Sequence, residues 1–342
     1  MANKKRVLVL VDGDMVAFSH AAAEEYGKEL EDVNFAKIQM SMDSKMKFIL
    51  DRLGATDYFT TMSGSENMRD AITDDYKANR EGVWRPHNLK NAKAHLLVAW
   101  NGIAKEGLEA DDLMAMLARH EYELVMGKRN QIKEMIYVGP NTYDEVYIVS
   151  LDKDLRQVGR IGGKGPVIKH YQWERESQGI GEKIIPVEDF GELKVIVKPS
   201  GKSQKKEVKG HGPKFFLWQL LTGDATDGVI GCGKQVQAMY KSGAKAGQSY
   251  SKREGVGAIE AYETLKDCTS YAQGLEMVKR QYVLHFADGW QKALLKAGRL
   301  MYMAHMVDDG HLVRLWHFDG KTTDRYDLKE KRVVSHAEYL QR

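Results

Sequence analysis

A continuous apolar run near the start of the chain constrains the fold most strongly. Arg6–Val11 reads RVLVLV and leads directly into Asp12, Gly13 and Asp14. A run without polar alternation that ends in turn residues is typical of a parallel strand buried on both faces. The run is far too short to cross a membrane and has no small-residue cleavage site after it. We therefore interpret it as the first strand of a parallel sheet that ends in an acidic loop.

Helical and strand patterns alternate after this run. The periodicity predicts helices over Met15–Tyr26, Val33–Leu53 and Glu109–Met126, and strands over Asp57–Met62, Glu145–Ser150 and Val167–Tyr171. This alternation predicts an α/β core with a parallel sheet covered on both faces. After residue 212 helices dominate, with candidates at Phe215–Leu221, Ala258–Leu265 and Leu275–Phe286, and a late strand is expected within Leu312–Phe318. We expect a core over 1–212, a helical region over 213–310 and a tail with one strand over 311–342.

Composition excludes several classes of protein. The chain has 342 residues, 43% of them hydrophobic, and 51 Lys+Arg against 48 Asp+Glu give a net charge of +3. Two cysteines cannot form a disulfide framework or a cysteine zinc site. The expectation is a protein of the cytoplasm that is not embedded in a membrane.

Positive charge is concentrated in the second half of the chain. Gly228–Arg253 contains no acidic residue, and glycines separate its lysines, so that backbone N–H groups are able to approach a phosphate closely. Residues 192–214 are also rich in lysine. For that second segment a solvated linker is an equally good interpretation.

Acidic residues fall where predicted strands end and predicted helices begin. The groups are Asp12 with Asp14, Glu109 with Asp111 and Asp112, Asp152 with Asp154, and Asp224 with Asp227. Singly, each group is also explained as a helix cap or a turn. Together they would lie along one edge of the sheet, where like charges raise each other's pKa. Mg²⁺ or Mn²⁺ would supply the missing positive charge, and two such ions are suited to phosphodiester hydrolysis.

A short basic segment could act opposite these acids. Tyr76–Arg80 reads YKANR and places Lys77 and Arg80 three residues apart, on one face if the segment is helical. An ammonium beside a guanidinium is a good arrangement for binding a scissile phosphate. A solvated basic turn is the alternative.

The motifs taken in series resemble a known family. They are Val11–Gly13, Tyr76–Arg80, Leu108–Asp112, Ser150–Asp154, Thr222–Gly228 and Ser242–Gln248. Their order is similar to that of the 5′-nuclease (flap endonuclease) family, and most similar to the 5′→3′ exonucleases of short-tailed coliphages. The resemblance extends over about residues 7–250.

The resemblance implies a fold, a site and partners. It implies a PIN-like core with a helical arch over about 63–106, followed by a helix-three-turn-helix module that grips duplex DNA. Two or more Mg²⁺ or Mn²⁺ ions are implied, with Lys77 at the scissile phosphate and Arg80 as its partner. A K⁺ ion at the glycine-rich hairpin of residues 228–234 is also implied. The implied metal ligands are Asp12, Glu109, Asp111, Asp112, Asp152, Asp154, Asp224 and Asp227, and the implied DNA contacts are Gly231, Gly233, Lys234, Lys241 and Lys245.

One departure from the family pattern concerns the end of the second strand. An acid is usual there, but Thr61–Arg69 reads TMSGSENMR, with no Asp at the expected place near Ser63. Either Glu66 or water is expected to complete that part of the site.

The expected function is 5′→3′ hydrolysis of duplex DNA from ends, nicks or flaps, and of RNA primers on DNA. The expected setting is phage DNA replication or degradation, in an infected bacterium and by a monomer. Two alternatives remain open at this point. One is a DNA-structure binder with weakened catalysis, and the other is a phosphatase in which Asp12 is the nucleophile.

Overall fold

The structure is a computed structural model that describes residues 5–80, 82–160, 165–174, 181–187, 189–200, 203–244, 246–304 and 306–342. Its α-helices are α1 Gly13–Glu25, α2 Phe35–Leu53, α3 Leu89–Ala99, α4 Ala110–Arg119, α5 Pro213–Thr222, α6 Ala258–Leu265, α7 Tyr271–Phe286, α8 Trp290–Met301 and α9 His336–Tyr339. Its strands are β1 Val7–Asp12, β2 Asp57–Asn67, β3 Gly102–Gly107, β4 His120–Met126, β5 Ile132–Pro140, β6 Glu145–Val149, β7 Val167–Gln172, β8 Lys183–Pro186, β9 Glu192–Ser200, β10 Ser203–His211, β11 Gly233–Met239, β12 Ser249–Gly255, β13 Val307–Asp308, β14 Leu312–Arg314, β15 Arg325–Asp327 and β16 Arg332–Val334.

A six-stranded sheet with the order β3-β2-β1-β6-β7-β8 forms the centre of the fold. All neighbours pair in parallel except β7 and β8, so the predicted α/β class with a parallel sheet is confirmed. β2 and β3 follow β1 in the chain and lie on one side of it in the sheet. β6 comes later in the chain and pairs with β1 on the other side. Such a reversal opens a crevice beyond the carboxyl ends of the two strands, where ligands bind in sheets of this kind.

The first strand is buried on both faces, as its apolar run predicts. Val7, Val9 and Val11 pack with α1, α2 and α3 on one face of the sheet. Leu8 and Leu10 pack on the other face with α4 and with the strands that follow residue 306. Because side chains alternate between the two faces of a strand, the helices pack in two layers, one on each face of the sheet.

The helical region after residue 212 has its own apolar cluster. Helices α5 to α8 pack around residues such as Phe216, Leu220 and Tyr282. Leu193 and Val208 of the β9–β10 hairpin belong to the same cluster. A helical region in this part of the chain was expected, and the lysine-rich hairpin is an addition to it. In the described part of the chain, no helix is both long and apolar enough to cross a membrane.

The solvated-linker interpretation of residues 192–214 is wrong. β9 and β10 pair over their whole length in an antiparallel hairpin. Apolar side chains such as Leu193 and Val208 alternate inward, while lysines such as Lys198 and Lys209 pair with Glu207 on the outside. The high lysine content concealed an alternation with a period of two.

The helix predicted over Glu109–Met126 ends early, at Arg119. His120–Met126 forms β4 instead, which pairs antiparallel with β5. The sequence HEYELVM alternates polar and apolar residues up to Leu124, and Tyr122 and Leu124 pack on the core from this strand. The predicted helix missed this change from helix to strand because Leu124 also fits the helical period of the preceding apolar residues.

Two longer segments also differ from expectation. Within the expected arch over 63–106, β3 is a strand of the central sheet, and α3 packs Ala92 and Leu96 into the core. The expected tail over 311–342 contributes β14, β15 and β16 to a four-stranded sheet. Its Val313, Leu315 and Tyr326 are buried in the main core, so the segment is an integral part of the fold.

Candidate active site

The carboxyl ends of three parallel strands bring acidic residues to one edge of the sheet. Asp12 is the last residue of β1, and its carboxylate accepts hydrogen bonds from the Met15 N–H at 2.9 Å and the Ser150 hydroxyl at 2.7 Å. Ser150 follows β6 and also accepts from the Asp152 N–H at 3.0 Å. Glu109 follows β3 and precedes the first turn of α4. The topology therefore gathers acids that are far apart in sequence.

Asp112, a predicted metal ligand, has a structural role in this structure. Its two oxygens accept two hydrogen bonds from Arg69, at 2.7 and 2.9 Å, and one from the Ala304 N–H at 2.9 Å. The Glu109 N–H approaches Oδ2 at 3.4 Å. These four donors use the four acceptor positions of a carboxylate, and the side chain is fully buried. Direct ligation of a metal ion by Asp112 would have to displace one of these donors.

Arg69 is the residue of this site that sequence reasoning missed. Its guanidinium is 1% exposed and also donates to Glu109 Oε2 at 3.1 Å, to the Leu300 carbonyl at 2.8 Å and to the Tyr302 carbonyl at 3.0 Å. It thus connects the start of α4 to the end of α8. The only signal in the sequence was its place in the segment that departs from the family pattern.

Glu109 is held by protein cations as well. The Tyr76 hydroxyl donates to its Oε2 at 3.0 Å, and the Lys77 ammonium bonds its Oε1. Burial alone raises the pKa of Glu109, but Arg69 and Lys77 outweigh burial and lower that pKa to about 2. Glu109 is therefore ionised and electrostatically compensated.

The basic segment reaches the acids from a short turn and not from a helix. Lys77 has a left-handed backbone with φ of 56°, and only Ala78–Arg80 forms a single 3₁₀ turn. The Asn79 amide donates to the carbonyls of Ala225 and Thr226 at 3.0 and 3.1 Å, which fastens this turn to the loop that holds Asp227. From this turn Lys77 bonds Glu109, and Arg80 bonds Asp227.

The last two acids lie in the loop after α5, and each has a cation beside it. Asp227 pairs with Arg80 and lies 3.7 Å from the Lys77 ammonium. Asp224 pairs with Lys153 at 2.8 Å and accepts from the Thr226 N–H at 2.7 Å. Burial raises the pKa of Asp224, but Lys153 brings it below the ordinary value. These two acids are compensated within the protein.

Four other acids are only weakly compensated, the nearest cation being Lys153 at 3.9 Å from Asp154, and we call Asp12, Asp111, Asp152 and Asp154 the acidic quartet. Burial and Asp14 raise the pKa of Asp12 to about 7, and burial with Asp152 and Asp224 raises that of Asp154 to about 8. Burial also raises the pKa of Asp111 and of Asp152. Gln219 donates to Asp154 at 2.6 Å without adding charge. The neighbouring side chains therefore do not supply enough positive charge to offset the burial and mutual repulsion of these four carboxylates.

The quartet fits a hard divalent cation in its chemistry. Carboxylate oxygens are the ligands that Mg²⁺ and Mn²⁺ prefer, and such an ion would relieve the repulsion that raises these pKa values. Across the described residues, no three His, Cys, Asp or Glu side chains are arranged to hold one ion. The donor types and charges fit, whereas a ligand geometry is not formed.

Asp14 occupies the place where an additional acid was expected. Its Oδ2 accepts from the Ser63 N–H at 3.1 Å, and its Oδ1 pairs with Lys93 at 2.9 Å. Glu66, the expected substitute, pairs instead with Lys331 of the C-terminal sheet at 2.7 Å and is half exposed. In this structure the Glu66 carboxylate is thus engaged by Lys331, and Asp14 is the acid that contacts Ser63.

The predicted DNA contacts lie on and before the β11–β12 hairpin. Gly231 is buried in the turn before β11, and Gly233 begins that strand. Lys234 and Lys241 are exposed along the hairpin. Lys245 lies outside the described residues.

Comparison with known proteins gives similarity of structure alone. No protein-family model matches the chain, and no curated protein matches its sequence. Several solved structures are similar, and three of them are named here. They are the phage T5 D15 protein co-crystallized with metal ions (15% identity, TM-score 0.42, 86% of this chain and 94% of that one), the phage T5 flap endonuclease with DNA and metal ions (15%, 0.43, 86% and 95%) and a mutant T5 5′-exonuclease (14%, 0.40, 85% and 93%).

Loss of the Arg69 guanidinium should destabilise the fold strongly. Arg69→Met leaves Asp112 buried without a counter-charge, which costs about 3–5 kcal/mol of unfolding free energy in urea. Arg280→Met removes the same charge from an exposed position of α7 and should change the stability by less than about 0.5 kcal/mol. The double variant Arg69→Met/Asp112→Leu should recover most of the loss. Equal stability of Arg69→Met and Arg280→Met would contradict this account.

The acidic quartet should make the metal-free protein less stable as pH rises. Between about pH 4 and 7 native Asp12 keeps a proton that the unfolded chain releases, so the unfolding free energy falls, by up to about 1.4 kcal/mol per pH unit for each proton. His20, His120 and His170, whose pKa values are lowered by burial, act in the opposite direction below about pH 6.5. Urea unfolding in EDTA at pH 5 to 8 should therefore show a weaker fall for Asp12→Asn than for wild type. Identical pH profiles would refute the raised pKa of Asp12.

Proposed function

We propose that this protein is a divalent-metal-dependent 5′→3′ nuclease that hydrolyses duplex DNA. One observation carries the proposal: an acidic quartet whose pKa values stay raised lies at the reversal point of a parallel sheet, close to the basic residue Lys77. The serial order of motifs that resembles the 5′-nuclease family supports the same activity. Phosphodiester hydrolysis needs both elements, since it requires metal ligands on one side and groups that bind an anion on the other.

The acidic quartet would hold Mg²⁺ or Mn²⁺, with Glu109, Asp224 and Asp227 beside it. When bound, such ions supply a water of lowered pKa and neutralise the charge that develops on the phosphate oxygens. The protein orients the quartet through its backbone and neighbours. Ser150 fixes the carboxylate of Asp12, and Gln219 fixes that of Asp154.

Lys77 and Arg80 would bind the scissile phosphate. Both are partly exposed, and in the structure both pair with carboxylates at the edge of the quartet. A phosphate group is a stronger partner for a guanidinium than for a single ammonium, because it accepts two parallel hydrogen bonds. The cations are thus positioned to exchange a carboxylate partner for a phosphate oxygen of the substrate.

The helical region would bind the duplex beyond the cleavage point. Lys234 and Lys241 are exposed on the β11–β12 hairpin and would contact the phosphate backbone. Backbone contacts carry little sequence information and weaken steeply with salt. We therefore propose substrates defined by structure, namely 5′ ends, nicks, flaps and RNA primers on DNA. The corresponding role is phage DNA replication or degradation by a monomer in the bacterial cytoplasm.

An end-label assay tests the proposal. A linear duplex carries a 5′ label on one strand and a 3′ label on the other, and is incubated with Mg²⁺, Mn²⁺ or EDTA. Wild type should release short 5′-labelled products first, and only with metal. Asp111→Asn should reduce the rate at least about 100-fold. Asp288→Asn, which changes an exposed acid far from the quartet in sequence, should leave the rate unchanged.

Two results would overturn the proposal. Full metal-dependent cleavage by Asp111→Asn would remove the quartet from the chemistry. An intact duplex with wild type in both metals, together with tight binding to nicked DNA, would establish the DNA-structure binder instead. The absence of a preformed three-ligand arrangement among the described residues is the observation that favours this second candidate.

A further inference from the structure

The side chain of Arg253 lies against the glycine-rich turn of residues 228–233. Arg253 belongs to β12, and its guanidinium donates four hydrogen bonds to backbone carbonyl oxygens. Two go to the turn itself, from Nε to Ile230 at 2.6 Å and from Nη2 to Cys232 at 3.1 Å. The other two go to Leu221 at 2.7 Å and Val256 at 3.0 Å. The four carbonyls come from three separate segments of the chain.

The backbone around this guanidinium is packed too closely for side chains. A Cβ atom on Gly223 would lie 2.3 Å from the Val229 carbonyl oxygen, and one on Gly231 would lie 2.3 Å from the Gly223 nitrogen. Both glycines have positive φ, of 71° and 70°. The backbone segments therefore contact each other directly, and their carbonyl groups point at the Arg253 guanidinium.

A monovalent cation does not fit this turn. A carbonyl oxygen has two lone pairs, and at Cys232 these accept from Arg253 and from the Val256 N–H at 3.0 Å. At Leu221 they accept from Arg253 and from the Cys232 N–H at 3.1 Å. The K⁺ ion that the family resemblance implies for residues 228–234 would have to displace the guanidinium to gain these ligands.

We infer that Arg253 is a built-in replacement for the monovalent cation of the glycine-rich turn. A guanidinium is charged at every working pH and spreads its donors in a plane, which suits four carbonyls at the edges of the turn. Because the charge is tethered to β12, it also holds the base of the β11–β12 hairpin to the turn. The turn is thus kept in one conformation without an ion from solution.

The role of this turn in DNA binding rests on the proposed function, whereas its independence from K⁺ does not. Two readouts keep the two claims apart. Thermal unfolding of the full-length protein tests the turn without DNA. Fluorescence anisotropy with a labelled nicked duplex, in EDTA to prevent cleavage, tests the effect on binding.

Wild type is compared in KCl and in tetramethylammonium chloride at equal ionic strength. We expect the same melting temperature and the same duplex affinity in the two salts. A higher melting temperature or a tighter affinity in KCl would overturn the inference, because it would show that a metal cation contributes to the turn. This comparison needs no variant. If wild type binds no duplex in either salt, the proposed function fails and the melting temperatures still decide the role of Arg253.

Arg253→Ala removes the guanidinium, and Lys252→Ala is its matched control. Lys252 is exposed, carries the same charge one residue away and pairs only with its neighbour Glu254 among the salt bridges of the described residues. Arg253→Ala should lower the melting temperature and weaken duplex binding about 10-fold, and KCl should restore part of both losses relative to tetramethylammonium chloride. Lys252→Ala should show no difference between the salts. Equal behaviour of the two variants would refute the inference.

Discussion

The repulsion between buried carboxylates is the constraint on which the rest of this structure depends. The parallel sheet collects acids at the ends of β1, β3 and β6, where like charges are costly unless they are compensated. The protein compensates one group with its own cations, namely Asp112 with Arg69, Glu109 with Arg69 and Lys77, and Asp224 with Lys153. It compensates the acidic quartet only weakly, so that the pKa values of its four members stay raised. This division separates acids that hold the fold together from acids that are available to a divalent cation.

The Arg69–Asp112 pair connects the site to the remainder of the molecule. Through Arg69 the first turn of α4 is bonded to the Leu300 carbonyl near the end of α8. Asp112 itself accepts a hydrogen bond from the Ala304 N–H, 192 residues later in the chain. A second arginine, Arg253, joins β12 to the turn after α5 in the same way, by donating to backbone carbonyls. In both places one guanidinium joins several segments of the chain through hydrogen bonds to backbone carbonyl oxygens. The orientation of the helical region relative to the acidic edge thus depends on charged groups as well as on apolar packing.

Local patterns in the sequence predict much of this fold. The buried strand before Asp12 and the helix over Ala258–Leu265 are both as expected, because apolar periodicity reports directly on burial. The acids were recognised from their positions after strands. Their individual roles were not predictable, because the spacing along the chain does not show that Asp112 meets Arg69 or that Glu66 meets Lys331. Such partners are set by long-range packing. Long-range packing also decides that the lysine-rich segment of β9 and β10 forms strands.

The central claim is that the acidic quartet binds divalent metal, and Mn²⁺ binding tests it most directly. Free Mn²⁺ is measured by electron paramagnetic resonance during titration of wild type, Asp152→Asn and Glu66→Gln. We expect Mn²⁺ binding by wild type, an affinity at least about 10-fold weaker for Asp152→Asn, and an unchanged affinity for Glu66→Gln, whose carboxylate pairs with Lys331 outside the quartet. No Mn²⁺ binding by wild type, or an equal affinity for Asp152→Asn, would contradict it.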